Sequence, residues 1–253
     1  LTDSGIPAAT IVETLEQRFE LADFPDFSGA HNGVQLEPPE LIRCMATAVD
    51  ACGMTSHMAA EQDADLLLVH HGMLWGGPKR IVGPQYATVA PLIRSNCGLI
   101  SIHLPLDGDA EFGNNALICA QLGLERTSPF GYMKGITAGW LATTKTPLTA
   151  AAASEKLSIS ITEAVAPSRP VETLAVVSGS AGSLIDEARA ANADVLLTGE
   201  CNHHDRVWAR DAGLGLWLGG HYNTETFGVR AVGEWLADRY NLRHVFLDAP
   251  TGG

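Results

Sequence analysis

The sequence lacks most of the features that would assign it at a glance. Its five cysteines (Cys44, Cys52, Cys97, Cys119, Cys201) are odd in number and form no CxxC pair. A disulfide framework or a thiolate zinc site is therefore not expected. Cations are scarce, with 16 Lys plus Arg against 29 Asp plus Glu and a formal net charge of −13. That balance excludes general binding to a nucleic-acid backbone, which depends on Lys and Arg. No stretch reaches the ~18 uninterrupted apolar residues of a membrane span. There is no GxSxG nucleophile elbow. The segment LTDSGIPAAT has no basic run followed by an apolar core, so no signal peptide is expected and cytoplasm is the default location.

What remains is an ordinary globular composition. The chain has 253 residues, 46% hydrophobic and 18% charged, enough for one large domain or two lobes. Apolar runs at 44–50, 65–70, 98–104, 136–142, 173–178, 194–198, 214–218 and 243–247 read as strands. Helical spacing marks 8–22, 55–62, 84–96, 111–122, 148–157, 182–191, 203–212 and 224–239. Residues 23–40, rich in Pro, Gly, Asn and Asp, read as a loop. This alternation predicts an α/β fold with mixed, largely parallel sheets. ADLLLVHH at 64–71 is echoed by ADVLLTGE at 193–200. The echo is either chance likeness of two buried strands or the mark of two related α/β lobes. On the second reading, residues 1–126 form the first lobe, completed by 227–253, and 127–226 form the second.

The chemistry-bearing residues fall just after predicted strands, where open α/β sheets place their ligand sites. His70 and His71 end the strand DLLLVH before Gly72. Alone they read more plainly as one buried and one exposed imidazole. His103 and Asp107 flank Pro105, which is expected to stop the strand and carry Asp107 out in an extended loop. Asp107 reads otherwise as a helix cap. His221 and Glu225 are four apart, on one face if a helix starts at His221; a capping motif is the plainer alternative. Together the three clusters offer His70, His71, Asp107, His221 and Glu225. These are too many ligands for a closed tetrahedral zinc and too few for an all-oxygen calcium site. They suit two divalent ions drawn from Zn, Fe, Mn, Co or Ni, with open or water-filled positions. A fourth segment, Glu200-Cys201-Asn202-His203-His204, could supply acid/base groups or be solvated loop. The turn Gly179–Gly182 lacks the Lys of a P-loop.

In order along the chain, these segments resemble the Nif-three-like (YbgI-type) dinuclear metal family, whose members are often called GTP cyclohydrolase I type 2 homologues. SGAHNGVQ (28–35) is similar to its Asn-x-Gly-Leu-Gln signature, and VHHGMLW (69–75) to its His-His-Pro motif. HLPLDGDAEFGNNALICAQLGL (103–124), GSAGSLIDEARAANADVLLTGE (179–200) and GGHYNTETFGVRAV (219–232) are similar to its remaining blocks.

The resemblance implies two lobes with a dimetal site in the cleft between them. By carry-over, Glu225 would bridge both ions, His71 and Asp107 would complete one, and His70 and His221 the other. His103 would be a near neighbour, and His204 would match a histidine that the family places near the cleft. A hexameric ring is also implied. Gly72 stands where the family has Pro, which is expected to loosen that loop, and His203 stands where an aromatic is common. With His31, His103, His203 and His204 added, the site is expected to move protons, with Glu200 as a further acid/base candidate. The function this implies is a metal-dependent hydrolase using a bridging hydroxide, opening a cyclic C–N bond of a nucleobase-like or amide substrate. The alternative is a metal-binding regulatory or carrier protein without turnover; structural histidines without metal are the blandest case.

Overall fold

A computed structural model describes residues 5–77 and 79–251. The chain divides into two compact units. The first comprises residues up to Leu106 together with Gly228–Ala249, and the second Asp107–Phe227 with the residues after Ala249.

In the first unit the elements are β1 (Ile6–Pro7), α1 (Ala8–Phe19), β2 (Gly33–Leu36), β3 (Leu41–Ile42), β4 (Cys44–Asp50), α2 (Gly53–Glu61), β5 (Leu66–His71), α3 (Pro84–Arg94) and β6 (Gly98–Ser101). A single helical turn, α4 (Leu104–Asp107), follows at the boundary. The second unit holds α5 (Asn114–Leu122), β7 (Glu125–Met133), β8 (Ile136–Leu148), α6 (Ala150–Leu157), β9 (Thr162–Val165), β10 (Val171–Val176), α7 (Ile185–Ala190), β11 (Val195–Thr198), α8 (His203–Asp211), β12 (Gly215–Leu218) and α9 (His221–Thr224). α10 (Thr226–Tyr240), from Gly228 onward, and β13 (Arg243–Phe246) belong to the first unit.

The first unit is built on a five-stranded sheet ordered β13-β4-β5-β6-β2. Its pairings are parallel except for the β2 edge. Side chains alternate across it. Cys44, Ala46, Ala48, Leu67, Val69 and Leu99 pack one face against Ala59, Leu92 and Leu247, while Met45, Leu66, Leu68 and Ile100 are buried on the other parity. A sheet covered on both faces needs continuous apolar strands, which is why these segments were legible as runs. The second unit has six strands ordered β7-β8-β10-β11-β12-β9, parallel only at its centre. Leu174, Val176, Val195, Leu197 and Trp217 face one cluster, and Ala175, Val177, Leu196, Leu216 and Leu218 the other. The fold is thus α/β with mixed sheets, although only the first unit's sheet is largely parallel.

Three sequence expectations change. The second unit starts at Asp107, not near 127, because Ile118, Cys119 and Leu122 of α5 pack with Leu148, Leu157 and Leu174. Residues 125–133, expected as a boundary, form β7 in a long antiparallel hairpin with β8. The predicted loop 23–40 contains β2, paired with β6.

The echo at 64–71 and 193–200 is structural. Asp65 Oδ2 accepts the backbone N–H groups of Arg43 and Cys44 at 2.7 and 3.0 Å. Asp194 Oδ2 accepts those of Glu172 and Thr173 at 2.9 and 2.8 Å. Each aspartate stands just before a central strand and fastens the start of its neighbour. The turn before each carries one left-handed residue, Asp63 in one and Asn192 in the other. Among the described residues, no helix is long and apolar enough to cross a membrane.

Candidate metal centre

In the first unit, His70 and His71 are the last residues of β5, and His103 follows β6. Neighbouring side chains on a strand point to opposite faces, but at the strand's end these rings converge. The His70–His71 centroids lie 4.7 Å apart, His70–His103 4.9 Å and His71–His103 5.5 Å. One nitrogen from each falls within 4.8 Å of the others, a grouping able to hold a metal ion. His70 and His103 are buried and His71 is half-buried.

All three rings engage Nδ1 with an acceptor. His70 Nδ1 donates to the Ile102 carbonyl at 2.9 Å. His71 Nδ1 donates to Asp50 Oδ1 at 2.9 Å, and His103 Nδ1 to Asp26 Oδ1 at 2.8 Å. A carbonyl or carboxylate acceptor fixes the proton on Nδ1 and makes Nε2 the nitrogen that can ligate, as second-layer groups do around bound metals. Asp26 is itself held by Asn32 Nδ2 and the N–H groups of Phe27 and Leu104. Burial works to raise its carboxyl, but the hydrogen bond and charge of His103, with Asn32 and the Phe27 N–H, hold it below the usual range.

Pro105 does not open an extended loop. It lies in the first turn of α4, where a missing N–H costs nothing, and Asp107 closes that turn. Nor does Asp107 cap the next helix, whose N-cap is Gly113. The Asp107 carboxylate is buried and accepts from Asn114 Nδ2 at 2.8 Å and Ser178 Oγ at 3.2 Å. Also in the second unit, α9 follows β12 through Gly220, and His221 Nε2 lies 3.2 Å from Glu225 Oε1. Two ligand atoms on one tetrahedral zinc stand about 3.3 Å apart, given bond lengths of ~2.0–2.1 Å. The pair therefore has the spacing of shared ligands without rearrangement. His221 Nδ1 donates to Glu200 Oε1 at 2.8 Å. The Glu225 hydrogen bond, opposed by burial and joined by the charges of Glu225 and Glu200, pushes the His221 imidazole up to about 9. In the metal-free chain that ring is a cation between two carboxylates.

Glycine makes room for this pair. A Cβ on Gly179, at φ +64°, would lie 2.3 Å from Glu225 Oε1. One on Gly199 would lie 2.8 Å from the His221 Cα.

The remaining expected residues divide. Glu200 sits beside His221 as its Nδ1 partner. His203 and His204 occupy the exposed first turn of α8, His204 3.4 Å from Asp205. His31 is exposed, in a left-handed conformation. Gly72 does not loosen its loop. A Cβ there would meet the Gln35 amide at 2.1 Å, and Gln35 Oε1 accepts the Met73 N–H at 2.8 Å. Sequence reasoning missed Asp26, Asp50 and Ser178. For Asp50 a signal existed: a carboxylate ending a buried strand one place from the strand of His71. Asp26, in an irregular loop, offered none.

The Duf34/NIF3 (NGG1p interacting factor 3) family model matches residues 7–252. A Pyrococcus abyssi protein named GTP cyclohydrolase 1 type 2 homolog is 36% identical over 247 residues, covering 96% of this chain and 98% of that protein. Among solved structures, the ybgI protein, described as of unknown function, superposes with a TM-score of 0.90 at 27% identity, over 98% of this chain and 100% of its own. TTHA1606 from Thermus thermophilus does so at 0.85 and 33% identity, with 98% and 100% coverage. From its family-wide match and its donor-bearing motifs in order, the chain belongs to the Duf34/NIF3 family.

Proposed function

We propose that this chain is a metal-dependent hydrolase with a dinuclear divalent centre, held by His70, His71, Asp107, His221 and Glu225. The observation that carries metal binding is the engagement of Nδ1 in His70, His71 and His103, which presents Nε2 donors of defined tautomer. Asp107 and the His221–Glu225 pair add carboxylate and imidazole donors, a mixture suited to Zn, Fe, Mn, Co or Ni. When bound, such ions supply Lewis acidity and lower the pKa of a water.

The chain's own groups have the following parts. Asp50 and Glu200 orient His71 and His221. Asp26 holds the His103 proton on Nδ1, so that Nε2 can receive one during reaction. His203 and His204, on the open turn of α8, exchange protons with solvent and leaving group. The name borne by the relatives supports a cyclic C–N bond, in a nucleobase-like ring or a cyclic amide, as the bond opened. A cytoplasmic homohexamer belongs to the same reading and predicts a particle of about six times the 26.8 kDa chain mass.

The test is turnover of cyclic amides, nucleotides and phosphoesters by metal-stripped protein, with and without added Mn, Zn or Fe. Turnover should require metal and be lost in His71→Ala. His203→Ala or His204→Ala should slow it while leaving metal content intact. Bound metal without turnover on any substrate would favour the regulatory or carrier reading.

A further inference from the structure

Two aromatic side chains border the first unit's histidine cluster and stay open to solvent. Trp75 is 40% exposed and Phe27 38%. The Trp75 ring centroid lies 4.7 Å from that of His103 and 5.9 Å from that of His71, near-perpendicular to both. Phe27 lies 6.0 Å from both Trp75 and His103. We propose that Trp75 and Phe27 form a stacking wall that binds a planar, uncharged heteroaromatic ring beside His71 and His103.

The wall is held, not loose. Gln35 ties its two loops together. Its Nε2 donates to the carbonyls of Ala30 and His31 at 3.2 and 2.9 Å, and its Oε1 accepts from Met73. Gly29 abuts Gly76 so closely that a Cβ would lie 2.4 Å from the Gly76 nitrogen. Asp26 fixes the Phe27 backbone at 2.6 Å. The two rings are adjacent rather than scattered singly over the surface, and adjoining exposed apolar groups mark binding sites where single ones do not. Here the backbone carrying them is fastened at each end, so little ordering cost remains when a ligand stacks.

The chemistry of the wall selects the ligand class. Quaternary ammonium ligands are typically held in a cage of aromatic faces closing around the cation. The Asp26 carboxylate beside Phe27 already accepts from Asn32, Phe27, His103 and Leu104. Two tilted rings make a wall and not a cage. A neutral ring with nitrogen or carbonyl groups on its edge satisfies both parts, its face on Trp75 and its edge toward the imidazoles. Stacking of this kind tolerates different bases, because each has a π face. The inference deepens the proposed hydrolase reading by naming the substrate's ring, and rests on that reading only for the ring's being substrate.

Calorimetry on the metal-stripped 253-residue chain tests it, with guanosine, uridine and ribose as probes. Guanosine should bind, uridine more weakly, and ribose not at all. Trp75→Ala should weaken guanosine binding by roughly five- to hundredfold, the range of one base–aromatic stack. Trp75→Phe should stay within a few-fold of wild type. Absence of guanosine binding to the wild-type chain, with or without Mn, would overturn the proposal. So would unchanged affinity in folded Trp75→Ala. Should that variant fail to fold, Phe27→Leu decides: weakened binding supports the wall and unchanged binding overturns it. Trp75-dependent binding without turnover would remove the hydrolase reading and leave the wall standing; turnover of a ringless phosphoester with no guanosine binding would do the reverse.

Discussion

His71 and His103 each donate Nδ1–H to an aspartate of the first unit, Asp50 and Asp26. Removing the acceptor leaves the ring in place but frees its tautomer and rotation. Such outer partners typically contribute 10- to 100-fold in metal affinity. Asp50→Ala should therefore weaken Zn or Mn binding by ~10-fold or more, read by competition with a chromophoric chelator, while the melting temperature of the metal-free chain changes little. Equal affinity in the variant would remove Asp50 from the site. A second residue-scale effect lies away from the donors. His244 Nε2 lies 2.9 Å from Thr47 Oγ1 and packs against Gly233. Burial lowers its imidazole below the ordinary 6.5, with Glu234 opposing and Arg230 reinforcing the shift. A depressed histidine favours the neutral ring in the folded state. Its contribution is present above about pH 6.5 and is lost as the unfolded chain takes up protons below it. The His221 imidazole, pushed up to about 9, works the other way, its contribution growing as pH falls toward about 6.5. The His244 effect is therefore read as a difference: between pH 7.5 and 5.5 the melting temperature of the wild-type metal-free chain should fall relative to that of His244→Gln, and a parallel pH dependence in the two would contradict it.

At the scale of elements, the repeated aspartate before each central strand is the firmest structural signal. Asp65 and Asp194 each join two backbone N–H groups of a neighbouring strand, and Asp194 also pairs with Arg169. Hydrogen bonds to a charged group contribute ~1.5–3 kcal/mol, and leaving buried N–H groups unsatisfied adds to the cost. Asp65→Ala and Asp194→Ala should each lower unfolding free energy by ~2 kcal/mol or more, measured by denaturant titration. A loss in one and none in the other would break the equivalence. The echo ADLLLVHH/ADVLLTGE made the two central strands legible because both are buried on two faces and carry uninterrupted apolar runs. β2, β7 and β9 were not legible. β2 lies among glycine and proline, β7 includes Pro129 and Gly131, and β9 is a short edge. Their strand form comes from pairing partners distant in sequence, which local pattern does not record. α4 was missed for a related reason: Pro105 ends a strand and also suits a helix's first turn.

For the whole molecule, the proposed ligands are divided between the two units: His70 and His71 lie in the first, Asp107, His221 and Glu225 in the second. All five were legible as candidates because each follows a predicted strand, where α/β folds gather function. Their supports were less so, since Asp26 and Ser178 meet their partners only through the fold. The claim that these residues jointly hold metal is tested most directly by elemental analysis after reconstitution with Zn or Mn and removal of excess ion. The account predicts two ions per wild-type chain, with at least one lost in His71→Ala and at least one in His221→Ala. Full occupancy in both variants, or no retained ion in the wild-type chain, would contradict it.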